Sequence, residues 1–361
     1  MNRVYLDHAA TSPLRPAARE AMAAAMGVYG NPSSVHGEGQ KARALLDDSR
    51  RAIGDRLGVR AERVVFTSGG TEAANLAVSG IMNAAKNKSK KVAIAGIEHD
   101  CVIGAAWKHA VVEVPVDADG VVKLDALEKI LATGDVALVC LMHANNETGV
   151  IQPVAEAAVL AHTHGALLYC DAVQTVGHLD VKPDELGADL LGFSAHKFGG
   201  PKGVGALVVK SELDFVPMLM GGAQERGRRA GTENVIGIAG MAAALAEPLI
   251  DTTATMQRLL SAVSATKNVQ IVAQNARRVT HILQLRISDK SGEDLVIGMD
   301  LNSVAVSQGS ACSSGRVKAS HVLLAMGFNE LEASQGLRLS LGWNTTAADI
   351  DAALAALSKL V

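Results

Sequence analysis

Aromatic side chains are scarce in this 361-residue chain, where Phe, Trp and Tyr together make up 3% of the residues. A core must therefore be assembled from Ala, Val, Leu and Ile. With 48% of residues hydrophobic, there are enough of them for a sizeable one. An excess of charge is also missing. The 34 Lys and Arg set against 37 Asp and Glu leave a net charge of −3, and no long basic run occurs. Neither direct nucleic-acid binding nor a membrane partner is expected from that balance. No apolar run approaches the roughly 20 residues a bilayer-spanning helix needs. Residues 1–12 mix Arg3, Asp7 and His8 into a strand-like start, unlike the apolar core of a secretory leader. The expected location is the cytoplasm.

Cysteine is sparse: Cys101, Cys140, Cys170 and Cys312 are far apart, with no C-x-x-C pair. A disulfide framework does not suit a cytosolic chain of this size, and no metal site is expected because zinc-ligand spacing is absent. Cys140 and Cys170 lie in apolar runs and read as buried strand residues, the usual place for a free thiol. Cys101 is expected to begin a helix and pack inward.

What the chain does have is alternation. Short apolar runs at 64–66, 92–95, 111–116, 136–141, 166–169, 190–193 and 205–209 read as buried strands. Between them, stretches such as 72–85, 124–132 and 153–164 read as helices, with Pro153 suited to a first helical turn. The pattern predicts an α/β fold with a mostly parallel central sheet and helices on both faces. After about residue 245 the texture changes to helix 256–265, strands 269–272 and 281–287, helix 292–300, strand 304–306 and helical stretches at 331–336 and 347–360. The expected organisation is a large domain over 15–245 and a smaller α+β domain made of 1–14 and 246–361.

Three motifs carry chemistry. Ser194-Ala195-His196-Lys197-Phe198-Gly199-Gly200 follows a strand and sets a lysine in a Gly-rich loop. A partly desolvated lysine keeps some neutral amine and can meet a carbonyl cofactor. Taken alone, this loop would more often be a solvated turn. Upstream, Asp171 ends a strand and Gln174 follows one short turn later. A carboxylate there can cap a following helix, or it can pair with the pyridine nitrogen of pyridoxal 5'-phosphate and keep the ring an electron acceptor. Earlier still, Thr67-Ser68-Gly69-Gly70-Thr71-Glu72 joins a strand to a helix whose free N–H groups favour a phosphate. In this order the three read as phosphate cup, ring partner and aldehyde partner of one cofactor.

A fourth segment, Ser307-Gln308-Gly309-Ser310-Ala311-Cys312-Ser313-Ser314-Gly315-Arg316, surrounds a cysteine with small polar residues and has no apolar pattern to bury it. Arg316 and Lys318 would favour the nucleophilic thiolate.

With these motifs, and with Asp7-His8-Ala9-Ala10-Thr11, Asn145-Asn146-Glu147-Thr148-Gly149 and Leu337-Arg338-Leu339-Ser340, the sequence resembles the cysteine desulfurases from end to end. These are fold-type I pyridoxal-phosphate transferases of the class-V aminotransferase family, and the likeness is greatest to the group I NifS/IscS-type members. The resemblance implies that Lys197 binds the cofactor covalently, Asp171 meets its pyridine nitrogen and Gln174 its ring oxygen. His99 would stack on the ring and move protons. Gly70, Thr71, Ser194 and His196 would bind the phosphate, and Thr232 would reach the phosphate of the neighbouring subunit in a homodimer with shared active sites. Asn146 would border the cofactor and, with Arg338, hold the carboxylate of L-cysteine. Cys312, in the small domain, would take the sulfur as a persulfide. A scaffold or carrier protein would then receive it for iron–sulfur cluster or other thio-cofactor synthesis.

Overall fold

A computed structural model describes residues 3–87, 89–211, 213–309 and 319–361. Twelve strands are present among them: β1 Val4–Tyr5, β2 Val64–Thr67, β3 Lys91–Ala95, β4 Ala110–Val114, β5 Val136–Cys140, β6 Leu167–Asp171, β7 Leu190–Ser194, β8 Gly205–Val209, β9 Val269–Ile271, β10 Ile282–Ile287, β11 Val304–Ala305 and β12 Gly336–Ser340. Seven form one sheet in the order β2-β8-β7-β6-β5-β3-β4. The pairs from β7 through β6, β5 and β3 to β4 are parallel, whereas β8 runs against both β7 and β2. This is the expected α/β architecture. Every residue of β5, β7 and β8 is buried, as a sheet covered on both faces requires.

Apolar side chains pack against both faces. One cluster gathers Leu46, Ile53, Phe66, Leu168, Phe193 and Phe198, and the other gathers Leu76, Ile81, Leu138, Tyr169 and Leu207. Small aliphatic residues fill most of the space, as the shortage of aromatics demanded. A second sheet, β12-β10-β9, is antiparallel, and beside it β1 pairs with β11 in parallel. Around it lies a separate cluster built on Leu6, Leu259, Leu283, Leu295, Leu339 and Ile350. Val322, Leu323 and Met326, late in the chain, pack instead into the core of the large sheet.

Two expected elements differ. The stretch 331–336 is helical only over Glu330–Ala333, and Gly336 already belongs to β12. There Gly336 lies where a Cβ would meet the Gln284 amide at 2.4 Å, so close sheet packing takes over from helix propensity. Pro153 stands at the N-cap of helix Val154–Thr163 and not inside its first turn.

Candidate functional site

A cavity of about 230 Å³ opens where strands β2, β3, β5, β6 and β7 end. The carboxyl ends of parallel strands are where open α/β sheets bind ligands, because the loops there are free to diverge. Each strand contributes its next residues: Gly70 and Thr71 after β2, His99 after β3, Asn146 after β5, Asp171 and Gln174 at and after β6, and Ser194, His196 and Lys197 at and after β7. All of these were singled out in the sequence. Cys101, Met142, Ala144 and Val173 also line the cavity and were not assigned to it. Cys101, expected to pack inward, is only half-buried here. It follows His99 closely in sequence at the start of helix Asp100–Ala106, which turns its thiol to the same side.

Backbone geometry builds the wall opposite Lys197. Gly69 has φ 154° and ψ −175°, a region that only glycine occupies comfortably. It turns the chain straight from β2 into helix Gly70–Met82. A Cβ on Gly70 would lie 2.8 Å from Val173 Cγ2, so the space at the start of this helix depends on glycine. The first-turn N–H groups and positive helix end border the cavity at Gly70 and Thr71.

The Lys197 amine donates to the carbonyls of Ala9 at 2.7 Å and Ala10 at 3.0 Å. Burial, with help from the Arg338 charge, pulls its pKa down to about 8, so a share of it is neutral near neutral pH. Gln174 spends one N–H on the same Ala9 carbonyl at 3.0 Å. Asp171 is buried, and burial raises its pKa even though His99 and Lys197 oppose the shift. Its Oδ1 accepts from the Val173 N–H at 2.9 Å. A buried carboxylate facing a cavity without an ion-pair partner among the described residues suits a ligand that brings a cationic N–H.

His99 caps its helix: Nδ1 accepts from the Cys101 N–H at 3.1 Å and lies 3.0 Å from Cys101 Sγ. With Nδ1 accepting, the proton of the neutral ring sits on Nε2. Burial first, then the Lys197 charge among others, lowers the His99 pKa and favours that neutral ring. The same causes bring His196 down to about 4, and its Nδ1 lies 3.2 Å from Thr11 Oγ1. Burial pushes the Cys101 thiol up, away from the reactive thiolate.

Three expected residues stand apart from this wall. Arg338 is buried beside it. Its Nη2 donates to Asp7 Oδ1 at 2.9 Å and its Nη1 to the Asn146 carbonyl at 2.8 Å. Thr232 is exposed and lies with Thr67, Ser68 and Arg229 in a different depression, outside the cavity of its own chain. Cys312 falls in 310–318, outside the described residues.

Pyridoxal phosphate has an aldehyde, a pyridine nitrogen and a phosphate. The lysine with a lowered pKa, the buried Asp171 and the helix start kept open by Gly70 match these groups one for one, and the residues present fit the cofactor.

The aminotransferase class-V family model matches residues 4–353. The chain is 37% identical to cysteine desulfurase IscS of Dictyoglomus turgidum over 99% of this chain and 94% of that protein. It is 40% identical to the IscS-like cysteine desulfurase of Mycobacterium tuberculosis over 99% and 96%. Among solved structures, the NifS-like protein of Rickettsia africae superposes with a TM-score of 0.90 at 32% identity, covering 99% of both chains. The chain belongs to the class-V aminotransferases, and within them to the cysteine desulfurases.

Proposed function

We propose that this chain uses pyridoxal 5'-phosphate to convert L-cysteine to L-alanine, with Cys312 receiving the sulfur and passing it to an acceptor protein. The observation that carries the reading is the partly neutral Lys197 amine in one cavity with the buried Asp171 carboxylate. When bound, the cofactor supplies an electron sink that acidifies the substrate's α-carbon and weakens its carbon–sulfur bond.

The chain's own residues do the rest. Lys197 holds the cofactor, and its freed amine takes and returns a proton at the α-carbon. Asp171 keeps the pyridine nitrogen protonated, and Gln174 donates to the ring oxygen with its remaining N–H. His99, protonated on Nε2, lies against the ring and donates there. Gly70, Thr71, Ser194 and His196 hold the phosphate, and Thr232 reaches the phosphate of a second copy. Asn146 and Arg338 receive the substrate carboxylate, where a planar fork suits bidentate pairing.

Overall, the Cys312 thiol and cysteine give alanine and a Cys312 persulfide. One carbon–sulfur bond breaks, one sulfur–sulfur bond forms, and the thiol proton makes up the methyl group of alanine. An acceptor thiol then removes the outer sulfur, for iron–sulfur cluster assembly or another thio-cofactor.

The exposed position of Thr232, outside the cavity of its own chain, is what supports a homodimer with shared active sites. No helix among the described residues is long and apolar enough to cross a membrane, and we take the cytoplasm as the site of action. Purified protein given cysteine should release alanine and carry one extra sulfur on Cys312 by mass spectrometry. Cys312→Ser should stop turnover while keeping the cofactor's absorbance, and Lys197→Ala should lose the absorbance of the covalently held cofactor. Full turnover by Cys312→Ser would refute the persulfide step.

A further inference from the structure

Glu98 stands directly before His99 and is wholly buried, and it has no part in the chemistry above. Strands β3 and β5 run in parallel and stay paired as far as Ile94 and Cys140. Past that point the chain after β3 turns away at Gly96 and Ile97. The chain after β5 keeps to β6 instead. Leu141 donates to the Tyr169 carbonyl at 3.0 Å and His143 to the Asp171 carbonyl at 2.8 Å. Met142 lies between them, so its N–H points to the opposite side, where β3 no longer offers a carbonyl. The Glu98 carboxyl takes that place: Oε1 accepts from the Met142 N–H at 2.6 Å. A side chain thereby adds one rung to a backbone ladder. Two further bonds hold the same turn. Asn145 Nδ2 donates to the Ile97 carbonyl at 3.1 Å, and His321 Nε2 to the Glu98 carbonyl at 2.9 Å.

The other oxygen of Glu98, Oε2, is buried with no partner among the described residues. A carboxylate given one N–H and no cation in such a place is costlier than the neutral acid, so the group keeps its proton. Burial first, and then the Asp171 charge, hold its pKa well above the usual carboxylate range. The titratable groups that feel Glu98 are Asp171, Cys101, Cys140, Cys170 and Tyr169, and none of them is a cation. In the neutral acid Oε1 remains an acceptor for Met142 and the proton sits on Oε2.

We propose that Glu98 is a positioning residue: its carboxyl group ties the turn that carries His99 to the chain at Met142, and so fixes how the His99 ring lies on the cofactor. Both His99 and Met142 line the cavity, so this one bond sets the spacing of two of its walls. The inference rests on the reading of His99 against the cofactor ring. It gives Glu98 no contact with cofactor or substrate, and it requires the acid to act uncharged.

Free pyridoxal phosphate is achiral, so circular dichroism in its visible band reports how the protein holds the ring. Glu98→Ala leaves the Met142 N–H without its acceptor and loosens the His99 turn. In that holoenzyme the band should lose at least half of its dichroism per bound cofactor. The cofactor should also bind about tenfold more weakly, as expected for one buried hydrogen bond. Glu98→Gln offers Met142 an amide oxygen and copies the neutral acid. It should keep dichroism and affinity within about twofold of the parent, with the absorbance titrating at the same pH. Glu98→Asp keeps the acid but is one methylene shorter than the span to Met142. It should show the loss seen in Glu98→Ala, and it decides the matter should that variant fail to fold. Parent-like dichroism in both Glu98→Ala and Glu98→Asp would overturn the assignment. So would weaker binding with unchanged dichroism, which a merely structural role predicts. A Glu98→Gln protein that behaves as Glu98→Ala, or titrates at a different pH, would overturn it as well. A parent with no cofactor band at all would instead remove the functional reading, and this inference with it.

Discussion

Arg338 and Asp7 are 331 positions apart in sequence, and the buried guanidinium donates to the Asp7 carboxylate across 2.9 Å. With Nη1 held by Asn146 and Nη2 by Asp7, the fork is fixed in orientation before any substrate arrives, and its Nε is left without a partner. A lysine keeps the charge but cannot reproduce the fork. Arg338→Lys should raise the KM for cysteine about 10- to 100-fold, the range expected from a charged hydrogen bond of about 1.5–3 kcal/mol. Steady-state kinetics checks this, with kcat expected to change much less.

Lys197 makes a prediction about pH. Its pKa falls from the ordinary 10.5 to about 8 in the folded protein. The unfolded chain therefore binds more protons between those values, and folding stability rises with pH through that window. Below about pH 8 the charged amine is a constant burden on the cofactor-free fold. Cofactor-free Lys197→Met should melt above the parent at pH 7, and the gap should close by about pH 10.5. Melting curves of the two proteins across that range test it.

Arg50 and Glu225 form a buried, two-bond pair at 2.7 and 2.8 Å, and Glu225 Oε2 also accepts from the Phe66 N–H at 2.9 Å. Glu225 holds φ 49° to make this contact, so the pair stabilises the turn that leads on to Thr232. Removing one partner strands a buried charge. Arg50→Ala should cost about 3–5 kcal/mol in urea unfolding. Replacing both residues by apolar side chains of similar volume should cost much less.

His178 and His281 stack at 3.7 Å between ring centroids, behind the Lys197 carbonyl that His178 faces at 3.3 Å. Burial, the largest cause in each, lowers His178 to about 4 and holds His281 well below the ordinary histidine value. The unfolded chain thus takes up protons first as pH drops. The contribution of this pair to stability should be flat above about pH 7 and should fall from pH 6.5 towards 4. His281→Phe keeps a stacked ring without a titrating group, and its urea midpoint should fall less between pH 7 and 5 than that of the parent.

The sheet and the cavity wall were legible because their signals are local. Asp171, Ser194 and Lys197 sit at or just past strand ends, in motifs whose chemistry shows in a few adjacent residues. Met142, Ala144 and Val173 were not, since they look like ordinary core residues and reach the cavity only through strand order. Helix Gly37–Leu57 also passed unnoticed: it is rich in charge and buries a sparse stripe of Ala42, Leu46, Ile53 and Leu57. Helix Val235–Ala246 hid for the opposite reason, being apolar on nearly every side and so without a period. Asp7 as the partner of Arg338, and Glu225 as that of Arg50, depend on contacts that no local pattern encodes.

The carbonyls of Ala9 and Ala10 that hold Lys197 belong to the turn that follows β1. Leu6 receives the Ser340 N–H at 2.8 Å, and Ala9 donates to Ser340 Oγ at 2.9 Å. The surroundings of the lysine are therefore closed only once Ser340, 331 residues downstream of Ala9, has been made. A nascent chain short of that point cannot carry a finished site, and a cofactor with a reactive aldehyde meets the amine in its tuned state only after it.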